Sequence, residues 1–410
     1  MKYTLLFFVS LLSFIIDAQN SSCDGSRYLT TLFPVNSTLG ITFGNSTTIN
    51  GVNADLKLDF FEPSGDLAQE RPLIILAFGG SFIGGTREEL HSLCTFYASK
   101  GYACATIDYR LYDGPLFPLP DSVTMTDEVL KAVSDMKAAI RFFREDADQG
   151  NLYKIDTDLI FVGGISAGAI VASHAAMLDS TDTVQPYVAS LIAANGGWTG
   201  NSSSNTQYSD EVSGIVNFSG ALRSASYIDA NDPAIFSVHD ELDEVVPYGN
   251  GSATIFSFPI ISMQGSQVMH AQAQSDGLTT ELITIDGSAG HVSYFGSVAG
   301  TDSILSHSID FLFPLVCSSF VNQEELEENL SRLDMYPNPT SKQVTIDYVS
   351  DQEFTITVLD VTGRIVKLVE GNGKGGSTEF YVNELNAGTY LVKLVSSDGN
   401  LLGSKYLVVE

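Results

Sequence analysis

Short apolar runs alternate with segments of helical periodicity from about residue 41 to residue 316. Residues 72–78 and 102–107 are almost continuously apolar, as are strands that are buried on both faces of a parallel sheet. Within residues 127–144, apolar side chains recur at steps of three and four, which predicts an amphipathic helix that covers such a sheet. The alternation therefore predicts an α/β domain with a mostly parallel sheet.

Other apolar runs predict the remaining elements of this domain. Strands are expected at residues 56–61, 159–162, 214–218, 234–238 and 278–285, and a closing helix at residues 302–312. Together these elements favour a twisted eight-stranded sheet that is flanked by helices. The chain of 410 residues is longer than one ordinary domain needs, so a second, smaller domain is also expected.

The last quarter of the chain has a different pattern. Residues 318–334 are polar and contain four glutamates, which predicts an acidic linker. Residues 335–410 consist of short strand-like runs that are separated by turn residues. This pattern predicts a small all-β sandwich after the linker.

The N-terminus is typical of a secretory signal peptide. A lone cation, Lys2, precedes an apolar run over residues 5–16, and the small residue Ala18 follows. The run is too short to cross a bilayer, and no later stretch reaches the roughly 18 apolar residues that a membrane-spanning helix needs. We therefore predict a signal peptide over residues 1–18, no transmembrane segment, and an exported protein whose main domain occupies residues 19–317.

Composition restricts the partners of the protein. Lys and Arg number 20 and Asp and Glu number 49, so the net charge is −29. A surface this negative repels phosphate backbones, which argues against nucleic-acid binding. Because 44% of the residues are hydrophobic and 17% are charged, the acidic excess lies on an ordinary globular composition.

Four cysteines form an even set in a chain bound for an oxidising compartment. Cys94 lies on a predicted helix and Cys104 on the strand that follows, so these two are expected to form one disulfide. Cys23 and Cys317 are then left to form the other. The alternative is that cysteines remain as buried free thiols.

Gly164-Ile165-Ser166-Ala167-Gly168 follows the predicted strand at residues 159–162 and opens a helix. A sharp strand-to-helix turn lifts a serine hydroxyl out of the sheet, and glycine is needed on both sides because larger side chains would collide. The context between a buried strand and a helix predicts that Ser166 is a nucleophile. The alternative is an ordinary glycine-rich loop.

A serine nucleophile needs a histidine base, which in turn needs a carboxylate to fix its tautomer. His291 lies in a glycine loop after the strand at residues 278–285, and Asp243 lies beyond the strand at residues 234–238. Asp243 is preferred to Asp240 because it lies further beyond the strand end. Four other histidines lie in helical patterns and are interpreted as surface or core residues: His91, His174, His270 and His307.

The oxyanion that forms during acyl transfer needs backbone N–H donors. The loop Phe78-Gly79-Gly80-Ser81-Phe82 ends an early strand, so the donors are assigned to the amides of Ala167, Gly80 and Gly79. Residues 195–208 are expected to form a loop over the site. The candidate substrate-binding residues are Ser81, Phe82, Trp198 and Tyr248, although core packing explains the aromatic residues equally well.

These motifs together resemble the α/β-hydrolase superfamily, on its esterase and lipase side. The resemblance is carried by residues 78–82, Asp108-Tyr109-Arg110-Leu111, residues 164–168, residues 243–247 and Gly290-His291, in the expected order. It spans roughly residues 28–316 and implies an α/β-hydrolase fold with a Ser-His-Asp triad. The chain departs from the usual pattern at Phe78, where many relatives have histidine.

The tail resembles the C-terminal sorting domain of proteins that the bacterial type IX secretion system exports. Tyr336-Pro337-Asn338-Pro339, Val361-Thr362-Gly363-Arg364 and residues 385–392 carry the likeness. The resemblance implies the type IX secretion machinery as a partner and a secreted or surface-attached protein. The alternative is a carbohydrate-binding or other sandwich module.

The sequence therefore predicts a secreted serine hydrolase of carboxylic esters that needs no metal or cofactor. Export favours esters of extracellular polymers or their fragments, such as acylated polysaccharide, lipid or polyester. Two alternatives stay open: a serine peptidase of the same fold, and a catalytically inactive surface-binding protein.

Overall fold

The computed structural model describes residues 23, 26–317, 333–348, 354–360, 365–371, 376–396 and 401–409. The chain divides into two compact units, Met1–Val316 and Cys317–Glu410. Three predicted features lie outside the described residues: the signal peptide, most of the linker and the motif at residues 361–364. The domain limits given above therefore stay predictions.

The first unit is built on one eight-stranded sheet of order β1-β2-β4-β3-β5-β6-β8-β11. Strand β2 pairs antiparallel with both of its neighbours, and every other pairing in the sheet is parallel. Strands β3, β4 and β6 are buried along their whole length, as their continuous apolar runs predict. The strand bounds are β1 Val35–Thr47, β2 Asn53–Pro63, β3 Arg71–Ala77, β4 Ala103–Ile107, β5 Ile155–Ile165, β6 Gly214–Phe218, β8 Ala234–Asp240 and β11 Thr280–Ile285.

The described part of the first unit contains the helices α1 His91–Ala98, α2 Ser122–Asp148, α3 Ala167–Met177, α4 Pro186–Ala194, α5 Ser266–Ser275 and α6 Val298–Val316. Most of them pack on the sheet, and α4 packs on α2. Helix α2 begins at Asp121, whose side chain accepts a hydrogen bond from the Thr124 N–H and so satisfies one unpaired amide of the first turn. Within the described residues, no helix is long and apolar enough to cross a membrane. The predicted α/β-hydrolase fold is confirmed.

A small three-stranded sheet stands apart from the main one. It consists of β7 Ala221–Leu222, β10 Phe258–Gly265 and β9 Asn250–Ile255, in that order. Strands β9 and β10 form an antiparallel hairpin between β8 and α5. The local sequence does not predict this hairpin, because its turn at Phe256-Ser257 lacks the glycine or asparagine that the positive φ angles favour.

The second unit is all-β. One sheet contains β12 Leu333–Tyr336, β13 Gln343–Tyr348 and β16 Gly376–Tyr381, and the other contains β15 Ile365–Gly371, β14 Phe354–Leu359, β17 Gly388–Ser396 and β18 Leu401–Val409. Buried side chains from both sheets form one apolar core, including Val344, Ile346, Ile356, Val392 and Leu407. The predicted small all-β domain is therefore confirmed.

The cysteine prediction is half right. Cys23 and Cys317 are disulfide-bonded, as expected. Cys94 and Cys104 are free and fully buried, with their sulfur atoms 2.8 Å apart, so the expected second disulfide is absent and the alternative of buried thiols applies to this pair. Helix α1 packs on β4 and brings the two side chains together, as the sequence predicts, but the thiols stay reduced.

Candidate active site

Ser166 lies at the sharp turn between β5 and α3. Its backbone has φ 56° and ψ −117°, a conformation that L residues rarely adopt. A Cβ atom placed on Gly164 would lie 2.5 Å from the Ala77 carbonyl oxygen, and one on Gly168 would lie 2.0 Å from that same oxygen. Glycine at both positions therefore lets the turn pack tightly against β3 while the serine points away from the sheet.

Three loops bring Ser166, His291 and Asp243 into one hydrogen-bonded row. The Ser166 hydroxyl lies 2.7 Å from Nε2 of His291, and Nδ1 of His291 lies 2.7 Å from Oδ2 of Asp243. A carboxylate only accepts hydrogen bonds, so Nδ1–H donates to Asp243 and Nε2 is left to accept the serine proton. The arrangement can deprotonate the hydroxyl as it attacks an electrophile.

The Asp243 carboxyl group is held as an anion. Burial alone would raise its pKa, but hydrogen bonds from His239 and His291, the charge of His291 and the Val245 N–H together lower the pKa to about 2. Its Oδ1 accepts from the backbone amides of Val245 and Val246 at 2.8 and 3.0 Å. The carboxylate is therefore oriented at both oxygens.

Asp240, the alternative acid, has a different role. Its Oδ2 accepts from the Ser293 backbone amide at 3.0 Å, and its Oδ1 accepts from the Ser293 hydroxyl. Ser293 lies two residues after His291, so the fully buried Asp240 fixes the loop that carries the histidine. His91, His174, His270 and His307 lie on helices, as the sequence suggests.

The loop after β3 passes directly beside Ser166. A Cβ atom on Gly79 would lie 3.3 Å from Cβ of Ser166, and Gly80 has φ 122° with no room for a side chain beside the Gly84 carbonyl. Ala167 is the first residue of α3, so its N–H belongs to the unpaired amides of the first helical turn. Gly79 and Ala167 therefore lie next to Ser166, and Gly80 follows Gly79 in the same loop, while their role as oxyanion donors stays a prediction.

Phe78 is packed where many relatives have histidine. Its ring stacks on Tyr109 with the ring centres 4.4 Å apart, and the Tyr109 hydroxyl donates to the Phe78 carbonyl oxygen at 2.9 Å. Tyr109 belongs to the Asp108-Tyr109-Arg110 motif, which thereby holds the end of β3. This packing positions the glycine loop without a histidine.

A largely apolar cavity opens beside Ser166, with about 430 Å³ of space that is partly open to solvent. Ser81, Phe82 and Ala167 line it, as do Met125 and Val129 of α2. Most of the remaining wall comes from the β9–β10 hairpin, through Ala253, Thr254, Ile255, Ile260, Ile261 and Met263. This wall was not predicted from the sequence, although the run of β-branched residues within residues 254–263 is typical of strands.

Trp198 and Tyr248 lie away from this cavity. Trp198 packs beside Leu130, Leu178 and Ile192, where α2 meets α4, and the Tyr248 hydroxyl forms a hydrogen bond with Thr284. The structure therefore does not place these two candidate substrate-binding residues among those that line the cavity.

The loop at residues 195–208 does not cover the site, contrary to expectation. The Ser202 carbonyl oxygen accepts from the Asn45 amide of β1, and the Ser202 hydroxyl contacts Asp135 of α2 at 2.5 Å. Arg110 binds both of these side chains. Burying the charges of Arg110 and Asp135 is costly unless each has hydrogen-bond partners. Ser202 is one of these partners, so the loop packs on β1 and α2.

No group of three or more His, Cys, Asp or Glu side chains is arranged to hold a metal ion in the part of the chain that the structure describes.

Comparisons with known proteins identify both parts of the chain. Residues 58–223 match the BD-FAE family model, and residues 334–410 match the secretion system C-terminal sorting domain. Both resemblances drawn from the sequence are thereby confirmed. No curated protein matches the chain.

The chain is also similar to solved structures, among them the following three. The propionate-bound esterase from the Planctomycetes species Thermogutta terrifontis is 20% identical with a TM-score of 0.47, and the match covers 67% of this chain and 93% of that one. The apo form of Thermogutta terrifontis esterase 2 is 20% identical with a TM-score of 0.48, over 67% and 93% of the two chains. A truncated carbohydrate esterase from gut microbiota is 15% identical with a TM-score of 0.47, over 70% and 98%.

Proposed function

We propose that this esterase-type hydrolase, whose chain joins a BD-FAE domain to a secretion system C-terminal sorting domain, cleaves carboxylic esters through a Ser166-His291-Asp243 triad. The observation that carries the proposal is the hydrogen-bonded row of these three side chains, with both distances at 2.7 Å. The strained backbone at Ser166 and the apolar cavity beside it support the same assignment.

In the first half of the reaction, the Ser166 oxygen attacks the ester carbonyl carbon while Nε2 of His291 takes the hydroxyl proton. The tetrahedral intermediate then collapses, its bond to the alkoxy oxygen breaks, and His291 returns the proton to the departing alcohol. The product is an acyl-enzyme on Ser166. Asp243 stabilises the imidazolium ion that exists between these two proton transfers.

In the second half, water replaces the alcohol. His291 takes a proton from water as its oxygen attacks the acyl carbon, and then returns that proton to the Ser166 oxygen as the carboxylic acid leaves. In both halves the substrate's carbonyl oxygen becomes negatively charged in the tetrahedral intermediate. We assign the backbone amides of Ala167, Gly80 and Gly79 as the hydrogen-bond donors to this oxygen. Fixed amides in a largely apolar cavity stabilise this charge without reorganising.

The sorting domain bears on where the reaction takes place. The sorting domain indicates transfer by the type IX secretion system to the cell surface or the extracellular space. We propose a signal peptide over residues 1–18, a catalytic domain over residues 19–317, a linker over residues 318–334 and the sorting domain over residues 335–410. Substrates outside the cell that carry esters are acylated polysaccharides, lipids and polyesters, or their fragments.

The decisive experiment measures hydrolysis of p-nitrophenyl esters by the purified chain and by two aspartate variants. Asp243→Asn leaves the shape of the site but removes the charge that orients His291, so kcat should fall by roughly 10³- to 10⁴-fold. Asp240→Asn is the matched control, since it alters only the support of the histidine loop and should cost no more than about 30-fold. Equal losses in the two variants would contradict the assignment of the acid.

A fluorophosphonate probe tests the nucleophile separately. It should label the wild-type chain, and Ser166→Ala should abolish both labelling and ester hydrolysis. A folded wild-type chain that resists the probe would instead support an inactive binding protein. Turnover of peptides but not of p-nitrophenyl acetate would favour a peptidase.

A further inference from the structure

We infer that the acyl-binding cavity is specific for short aliphatic acyl groups and that Met263 sets the length it accepts. The inference rests on the proposed ester hydrolysis at Ser166, and it assigns the substrate's acyl part to the apolar cavity beside that residue. The hairpin of β9 and β10 supplies the residues that decide this specificity.

The chemistry of the cavity favours a saturated chain over an aromatic acid with hydroxyl groups. Its walls contain methionine, isoleucine, valine and alanine side chains together with one aromatic ring, that of Phe82. Apart from Ser166, the polar side chains that line the cavity in the described part of the chain are those of Ser81 and Thr254. An aliphatic chain gains free energy with each methylene that it buries there, whereas a phenolic hydroxyl has few partners.

A second apolar cavity, with about 330 Å³ of space, lies behind the first. The two cavities share three lining residues: Val129 of α2, and Ile261 and Met263 of β10. All three are buried, and Met263 is only 2% exposed. These side chains therefore form a partition between the two cavities, and shortening one of them would join the two.

The shape of β10 explains how this partition is placed. The register between β9 and β10 shifts between Pro259 and Ile261, so that Ile260 is an extra residue in the strand. Such a bulge changes the direction of nearby side chains, and here both Ile260 and Ile261 line the cavity. The unbranched Met263 fills the gap next to them.

The test measures kcat/KM for p-nitrophenyl acetate, butyrate, hexanoate and octanoate with the full-length protein. The wild type should prefer acetate or butyrate. Met263→Ala should raise the ratio of octanoate to butyrate by at least about tenfold, because each methylene that enters the joined cavity adds up to about fourfold. Ile261→Ala removes another part of the same partition and should shift the ratio in the same direction.

Two controls isolate the partition. Leu178→Ala enlarges the second cavity, where Leu178 also lies, but leaves the partition intact, so the wild-type profile should remain. Met263→Leu keeps the volume and should also keep the profile. Thermal melting checks that each variant is folded, and Met263→Val replaces the alanine variant if that one is unfolded.

The outcomes separate the two proposals. If Ser166→Ala hydrolyses the esters as well as the wild type does, the triad proposal fails. If the wild type acts through Ser166 but folded Met263 and Ile261 variants keep its chain-length profile, the partition does not set acyl length and this inference is overturned. A wild type that prefers octanoate or a hydroxycinnamoyl ester also overturns it.

Discussion

His239 and Asp243 lie four residues apart at the carboxyl end of β8, both fully buried, with Nε2 of the histidine 3.4 Å from Oδ2 of the aspartate. The same Nε2 lies 3.0 Å from the Val246 carbonyl oxygen, which can only accept, so this nitrogen carries the proton. Nδ1 lies 2.9 Å from the Ser266 hydroxyl, which also accepts from Asn217. Asp243 of the proposed triad therefore lies against a buried imidazole that hydrogen bonds to Val246 and Ser266 hold in place.

Replacing His239 with alanine should lower kcat by roughly 10- to 100-fold with little change in KM, since a hydrogen bond to a charged group contributes about 1.5–3 kcal/mol. The pKa of Asp243 should rise once this donor is lost, because the hydrogen bond from His239 is one of the interactions that lower it. His270→Ala provides the control, because His270 is buried on α5 away from the site. A kcat loss in His270→Ala as large as that in His239→Ala would mean that the effect is general destabilisation.

Gly168→Ala should destabilise the protein by more than about 3 kcal/mol, because the new methyl group would lie 2.0 Å from the Ala77 carbonyl oxygen and backbone would have to move. Gly296→Ala is the matched control, since a Cβ there meets nothing within 4 Å. Urea denaturation of both variants gives the comparison. Equal midpoints would show that the turn at Ser166 does not need its second glycine.

Glu128→Gln should stabilise the protein at alkaline pH. Burial raises the pKa of Glu128 to about 8, although the charges of Lys131 and Arg110 act to lower it, and neither carboxyl oxygen has a hydrogen-bond partner in the described part of the chain. Between pH 4.5 and 8 the unfolded chain loses this proton while the folded chain keeps it. Stability due to this group therefore falls by about 1.4 kcal/mol per pH unit as the pH rises.

Chemical denaturation at pH 5 and at pH 8 tests this expectation. The difference in unfolding free energy between the two pH values should shrink in Glu128→Gln. It should not change in Glu211→Gln, whose side chain is exposed. An unchanged pH dependence in Glu128→Gln would show that the buried carboxyl group ionises normally.

Titration of thiols should find none in the native protein and two after denaturation without reductant. Cys94 and Cys104 are fully buried, and burial raises the pKa of the Cys104 thiol well above its ordinary value, so neither reacts while the chain is folded. Cys94→Ser should reduce the denatured count to one. Finding no thiol in the denatured wild type would indicate that the two residues are joined.

The sequence by itself determined the parts of this protein that depend on neighbours along the chain. Buried strands such as β3 and β6 need continuous apolar runs, and the turn at Ser166 needs glycine on both sides, so local pattern predicts them both. The order of Ser166, Asp243 and His291 also follows from which residues come directly after strands. The strand-rich tail is predicted from its pattern of short runs and turns in the same way.

Tertiary structure alone decided what lies around those residues. The loop at residues 195–208 packs on β1 and α2 because the buried Arg110 and Asp135 bind Ser202 there, which no local pattern reveals. The hairpin of β9 and β10 reaches the cavity through a register shift, and the roles of Asp240 and His239 depend on contacts with residues 27 to 53 positions away. Such contacts are set by packing between distant segments, so only the folded chain shows which side chains surround the nucleophile.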